Sequence, residues 1–109
     1  MIENNDVLAL IKEIENHLVN ELLPFWTARM IDKINGGYLT HFDEKGNDSG
    51  EDEKSLIAQT RCLYTISSAH RAGYGNGEYA DMARHGADFL IDKMWDKEHG
   101  GFYWMMDRK

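Results

Sequence analysis

The first quarter of the chain carries an apolar pattern typical of an amphipathic helix. Apolar residues recur at three- and four-residue steps: Val7, Leu10, Ile11, Ile14, Leu18, Leu22 and Phe25. Asn4 or Asn5 can cap the start of this helix by accepting a backbone N–H bond. Because Pro24 has no N–H to donate, it either kinks the helix or opens a second one that runs to about Met30.

Two more helices are predicted, over residues 54–71 and 78–94, with a glycine-rich turn at 73–77 between them. The first has an apolar stripe formed by Leu56, Leu63, Ile66 and Ala69. The second has a predicted buried side formed by Tyr79, Met82, Ala83, Ala87, Leu90 and Met94. Helices of this length need packing partners to be stable. The pattern therefore predicts an all-α protein.

The periodicity changes between the first and second helices. Residues 35–47 include Gly36 and Gly37, which permit positive φ, followed by short alternation, so we predict a tight β-hairpin or irregular loop. The acidic run at 48–53 predicts a solvated connection. Asp52 or Glu53 would there lie near the positive N-terminal end of the next helix.

An internal repeat appears when the chain is aligned on itself at an offset of 64 residues. Residues 30–38 lie over 94–102, with matches at Met, Asp, Lys and both glycines, and an aromatic after each Gly-Gly; Asp43 and Lys45 then lie over Asp107 and Lys109. A single unit of this kind cannot bury its apolar face, so such units must stack. The alternative is a shared turn without functional content. Residues 1–109 are predicted to be one segment, which looks cut inside the second loop.

Composition narrows the class of protein. Hydrophobic residues make up 42% and charged residues 28% of 109 residues, which is ordinary for one small folded domain. A net charge of −7 disfavours nucleic acid as a partner. Cys62 is the single cysteine, so no internal disulfide or Cys-rich zinc site is possible. No signal peptide or apolar run of about 20 residues is found, so we expect a cytoplasmic protein without membrane contact.

An ordered set of motifs resembles the N-terminal part of the N-acylglucosamine 2-epimerase / cellobiose 2-epimerase family. The pieces extend over nearly the whole chain: Leu22-Leu23-Pro24-Phe25-Trp26, Asp32-Lys33, Gly36-Gly37-Tyr38, Gln59-Thr60-Arg61-Cys62-Leu63-Tyr64, Phe89-Leu90, Trp95-Asp96 and His99-Gly100-Gly101-Phe102-Tyr103-Trp104. Any one piece is weak, whereas their order and spacing are fairly specific.

The resemblance implies the N-terminal portion of an (α/α)6 barrel, built from helical hairpins with short β-hairpin-like Gly-Gly loops. Inner helices of such a barrel ring a cavity for a mono- or disaccharide. A histidine pair moves a proton next to the sugar carbonyl through an enediolate, giving 2-epimerisation or aldose–ketose isomerisation. No cofactor and no metal is expected.

Arg61 matches the family's arginine at the reacting centre, so the resemblance implies catalytic and substrate-binding roles for it. A fixed guanidinium can stabilise the negative charge that develops on the sugar oxygen. Arg61 lies beside Tyr64 on a face that is otherwise small or apolar. The alternative is a surface arginine paired with Asp52 or Glu53.

Aromatic residues after the Gly-Gly turns are further candidates for sugar contact, because aromatic rings commonly stack on sugar faces. Trp104 is the one assigned to substrate, with Arg61 and Tyr64. The alternative for Trp104, Tyr103 and Tyr38 is packing at the barrel rim.

The five histidines are interpreted as surface or packing residues: His17, His41, His70, His85 and His99. The resemblance puts the catalytic histidines beyond Lys109, so this chain alone is predicted to be inactive. Its expected partners are the remainder of the barrel or other copies, through exposed helix faces.

Two other classes of function stay open. A glycoside hydrolase with the same helical barrel would need two carboxylates about 5 to 10 Å apart, and residues 55–71 contain no Asp or Glu. A helical repeat module that binds proteins would need no catalytic groups.

Overall fold

The structure, a computed structural model, describes residues 4–51 and 53–107. Helix α1 (Asn4–His17) continues through a π-helical turn (Leu18–Leu22) into helix α2 (Leu23–Thr27). Strand β1 (Glu53–Ser55) leads into helix α3 (Leu56–Arg71). Helix α4 (Glu78–Phe89) then continues through a second π-helical turn (Leu90–Met94), and strand β2 (Met105–Asp107) follows.

The N-terminal helix ends earlier than predicted. Pro24 occupies the first turn of α2, and the preceding turn is widened so that Leu23 donates its N–H to the Leu18 carbonyl. The path is therefore helical through the proline, and α2 ends at Thr27 instead of near Met30. Most of the predicted apolar stripe on α1 is exposed: Val7, Leu10, Ile11 and Ile14.

The start of α3 was also predicted too early, at residue 54. Ser55 has an extended backbone, and its side chain accepts the Ala58 N–H at 3.1 Å, so the helix begins at Leu56. The preceding residues belong to β1, which pairs antiparallel with β2, Lys54 lying opposite Met106. Glu53 thus lies in a strand, and Asp52 lies outside the described residues. The third predicted helix, at 78–94, matches α4 and its π-helical turn.

Two apolar clusters lie along the α3–α4 hairpin. One groups Leu23, Ile66, Ala69 and Tyr79, and so attaches α2 to the hairpin. The other groups Phe89, Leu90 and Met94 beneath Leu56, Leu63 and Met106. Phe89 was absent from the predicted buried side, whereas Met82, Ala83 and Ala87 are half-buried. The hairpin is the element on which both loops and α2 rest.

The repeat is visible in the backbone. The first glycine loop (residues 31–38) closes with an Ile31–Tyr38 bridge, and the second glycine loop (residues 95–102) closes with a Trp95–Phe102 bridge. All four glycines have positive φ, between 71° and 85°. The correspondence ends there, because Asp43 accepts backbone N–H bonds in a turn while Asp107 lies in β2. Lys109 lies outside the described residues.

Candidate functional site

Arg61 projects from α3 into solvent and has no ion pair or side-chain hydrogen bond with any residue in the described part of the chain. Pairing with Glu53, one of the alternatives from the sequence, is therefore not found. Asp52, the other acid considered, lies outside the described residues. As far as residues 4–51 and 53–107 are concerned, the guanidinium is left available for a ligand.

Arg61 also borders a groove of about 320 Å³ between the N-terminal helical segment and α3. The groove is lined by Leu18, Leu22, Leu23, Trp26, Thr27, Met30, Arg61, Cys62, Thr65 and Ile66. Among these described lining residues, Arg61 alone is charged. Burial raises the pKa of the Cys62 thiol, which keeps it protonated at neutral pH. The groove is therefore an apolar cleft with one cation at its edge.

Tyr64 and Trp104 are both largely exposed, at 75% and 64%. Tyr64 follows Arg61 by three residues on α3, which places the two side chains on adjacent positions of one face. Trp104 lies at the N-terminal end of α3, where its carbonyl accepts the Leu56 N–H at 2.9 Å. Neither residue lines the groove. Two of the three predicted site residues, Arg61 and Tyr64, thus lie on α3, and Trp104 lies beside the start of that helix. Of the three, Arg61 is the one that lines the groove.

The five histidines are dispersed. His17 contacts Glu21, His41 lies 3.2 Å from Glu51, and His99 lies 3.4 Å from Asp96. His70 is exposed near the end of α3. No group of three or more His, Cys, Asp or Glu side chains within residues 4–51 and 53–107 could hold a metal ion.

A buried polar network around the first glycine loop was not anticipated. Side chains contact three successive loop carbonyls: Lys54 Nζ donates to Gly36 at 2.6 Å, His85 Nε2 to Gly37 at 2.8 Å and Gln59 Nε2 to Tyr38 at 2.8 Å. Lys54 comes from β1, Gln59 from α3 and His85 from α4. The loop is therefore the junction of three elements. The sequence had named Gln59 as part of the Gln59-Thr60-Arg61 motif and His85 as a surface or packing residue, but it assigned neither to this loop.

Lys54 also forms an ion pair with Asp32, Nζ to Oδ2 at 2.6 Å, and both side chains are buried. Burial of Asp32 favours the neutral acid, but the hydrogen bonds from Lys54, Asn35 and Ile34 outweigh it, so the pKa of Asp32 lies below its ordinary value. The Asp32 carboxylate is therefore ionised at neutral pH. The ion pair fixes Lys54, which the apolar pattern placed at the start of a helix.

The hairpin architecture and the repeated glycine loops define the class of fold. Solved structures of cellobiose 2-epimerases, which are (α/α)6 barrels, superpose on it. The Bacillus thermoamylovorans enzyme matches with a TM-score of 0.82 and 33% identity, over 93% of this chain and 26% of its own. The Spirochaeta thermophila enzyme gives 0.85 and 26%, over 96% of this chain and 25% of its own.

The chain belongs to the N-acylglucosamine 2-epimerase (GlcNAc 2-epimerase) family, whose pattern it matches over residues 37–109. It is 37% identical over 106 residues to the cellobiose 2-epimerase of Dictyoglomus turgidum, covering 95% of this chain and 26% of that enzyme. The chain spans about a quarter of the length of the curated relatives it matches. Family members are carbohydrate epimerases and isomerases.

No helix in the described part of the chain is both long and apolar enough to cross a bilayer.

Proposed function

We propose that this chain supplies the first helical pairs of a sugar 2-epimerase or aldose–ketose isomerase, with Arg61 at the reacting centre. The observation that carries the proposal is the state of Arg61, which is exposed, borders a groove and has no partner among the described residues. The substrate is a mono- or disaccharide, as for the enzymes to which the chain is similar. The compartment of the protein is the cytoplasm, where Cys62 stays reduced.

Each candidate has a separate task in this proposal. Removing the proton next to a sugar carbonyl builds negative charge on the oxygen, and the Arg61 guanidinium stabilises that charge with up to two parallel hydrogen bonds. Tyr64 and Trp104 offer exposed rings to the apolar face of the sugar. The proton carriers are contributed by the rest of the barrel, because the five described histidines lie apart from one another and His85 already bonds the Gly37 carbonyl.

The extended shape supports a partner that covers the chain. Its radius of gyration is 16.6 Å, whereas a compact domain of this length has about 13 Å. Its accessible surface is 7987 Å², compared with about 6,200 Å² for a compact monomer of 12.6 kDa. The excess is more than the roughly 800 Å² that each partner buries in a standard interface. We propose that the remainder of the barrel covers this surface, and in its absence a second copy.

The test is a chimera in which this chain replaces the matching quarter of the Dictyoglomus turgidum enzyme. We expect the chimera to convert at least one of cellobiose, mannose and N-acetylmannosamine. Arg61→Ala should lower kcat about 10²- to 10³-fold, the usual effect of losing one oxyanion donor. Arg71→Ala, which removes an exposed arginine from the same helix, is the matched control and should leave kcat unchanged.

Full turnover by the Arg61→Ala chimera would contradict the assignment of Arg61. A folded chimera that neither binds nor converts any of the three sugars would favour the protein-binding module. Hydrolysis of cellobiose to glucose would instead favour the glycoside hydrolase.

A further inference from the structure

We infer that Gln59 is a positioning residue that fixes helix α3 against the first glycine loop and so aims Arg61. This inference rests on the proposed function, because it assigns Gln59 a role through Arg61. Gln59 is a polar side chain only 1% exposed, and it lies two residues before Arg61 on the same helix.

Both functional groups of the Gln59 amide bind one residue. Nε2 donates to the Tyr38 carbonyl at 2.8 Å, and Oε1 accepts the Tyr38 N–H at 2.8 Å. The amide thus pairs with the Tyr38 backbone as a neighbouring strand would. A planar group with two parallel bonds to one peptide residue tolerates little rotation or sliding of the helix that carries it.

The first glycine loop is a fixed reference for this contact. Lys54 and His85 hold the carbonyls of Gly36 and Gly37, and the Asp32 carboxylate accepts the N–H groups of Ile34 and Asn35 at 3.0 Å each. Apart from Gln59, the buried residues of α3 are Ile66 and Ala69, which make apolar contacts. Apolar packing is non-directional, so among the buried side chains of α3 the amide makes the directional contact that sets the rotation of this part of the helix.

The position of Arg61 depends on that contact because no other described side chain bonds to Arg61. It lies about 3 Å along the helix axis from Gln59 and about 200° around it. Its side chain has no hydrogen bond within the described part of the chain, so its position follows the α3 backbone. A misplacement of 1 Å can cost about 10² in rate at a reacting centre.

A double-mutant cycle in the chimera tests the coupling. Gln59→Asn keeps the amide but shortens its reach by one methylene, and Gln59→Met removes both bonds at similar length. We expect each to lower kcat by about 10- to 100-fold when Arg61 is present. In the Arg61→Ala background, neither should lower kcat further by more than about twofold, because the positioned group is gone.

Thr60→Ala is the matched control, since Thr60 lies between Gln59 and Arg61 on α3 and its hydroxyl donates to the Leu56 and Ile57 carbonyls of the same helix instead of to the loop. It should leave kcat unchanged. If Gln59→Met fails to fold, Gln59→Asn still completes the cycle.

Equal losses in both backgrounds would show that Gln59 is only structural and would overturn this inference, leaving the role of Arg61 standing. A fall in kcat for Thr60→Ala as large as that for Gln59→Asn would overturn it as well. If Arg61→Ala alone has no effect on kcat, the proposed function fails first, and this inference fails with it.

Discussion

The two glycine loops have the same backbone bonding in different surroundings. In the first, the Asp32 N–H donates to Gly37 and the Gly36 N–H donates back to Asp32, both at 3.1 Å. In the second, Asp96, Gly101 and Gly100 make the equivalent bonds, each at 2.8 Å. Each aspartate also accepts the N–H groups two and three residues later. The same local sequence pattern, an aspartate followed by two glycines, thus forms the same turn in both loops.

Their environments differ sharply. Tyr38 is 0% exposed and Phe102 is 48% exposed, although both follow a Gly-Gly pair and both close a bridge. Asp32 is buried against Lys54, whereas the partner of Asp96 is the exposed His99. The comparison teaches that the aspartate and the two glycines are enough to form the turn. The distant side chains add stability and position to a conformation that exists without them.

The largest expected difference between the loops concerns the buried cation of the first. Lys54→Met leaves the Asp32 carboxylate buried without its partner, and breaking such a pair costs about 3–5 kcal/mol. His99→Ala, its counterpart at the second loop, should change stability by less than about 0.5 kcal/mol because that residue is exposed. Urea denaturation of the chain, followed by circular dichroism, measures both free energies of unfolding.

Similar losses for Lys54→Met and His99→Ala would contradict the view that the two loops differ in their tertiary support. Asp32→Asn combined with Lys54→Met is the control variant. It removes the uncompensated charge and should recover part of the loss.

The second expected difference separates backbone strain from steric overlap. Gly37 and Gly101 have φ of 71° and 78°, so alanine at either position carries a similar strain of about 1–3 kcal/mol. An added Cβ at Gly37 would lie 2.8 Å from the Phe89 ring and 2.9 Å from Gln59 Oε1, while one at Gly101 meets no atom within 4 Å. Gly37→Ala should therefore cost about 1–3 kcal/mol more in the free energy of unfolding than Gly101→Ala. Equal costs would show that φ alone makes these positions glycine.

The contrast also explains what could be predicted from the sequence. The helix at 78–94, the turn at each Gly-Gly pair and the correspondence of residues 30–38 with 94–102 are local features, and all are found in the structure. Lys54 was missed because its burial depends on Asp32, 22 residues away, and on the pairing of β1 with β2. The π-helical turns were missed because apolar spacing does not distinguish an i to i+5 bond from the usual one.

The candidate site likewise has local features that the sequence predicts and tertiary contacts that it does not. The sequence predicted that Arg61 and Tyr64 share one face of α3, beside its apolar stripe, but it did not predict that both are exposed. The groove was not predicted, because it depends on how α2 packs against α3. The contact of Gln59 with Tyr38 was not predicted either, since it joins residues 21 positions apart. Family resemblance pointed to the Gln59-Thr60-Arg61 motif. The structure shows that Arg61 projects outward from the helix, whereas Gln59 is buried and binds the first glycine loop.

The smallest expected difference comes from exchanging the aromatic residues of the two loops. Tyr38 Oη donates to the Met82 carbonyl at 2.7 Å, and burial raises the pKa of Tyr38 to about 12, with Cys62 adding to the rise and the Gly86 N–H opposing it. Tyr38→Phe should lower the free energy of unfolding by about 1–3 kcal/mol, because a buried acceptor loses its donor. Phe102→Tyr should change it by less than about 0.5 kcal/mol, since the added hydroxyl can reach water. If Phe102→Tyr were as costly as Tyr38→Phe, the second loop would have to be buried in solution, against the exposure on which the comparison depends.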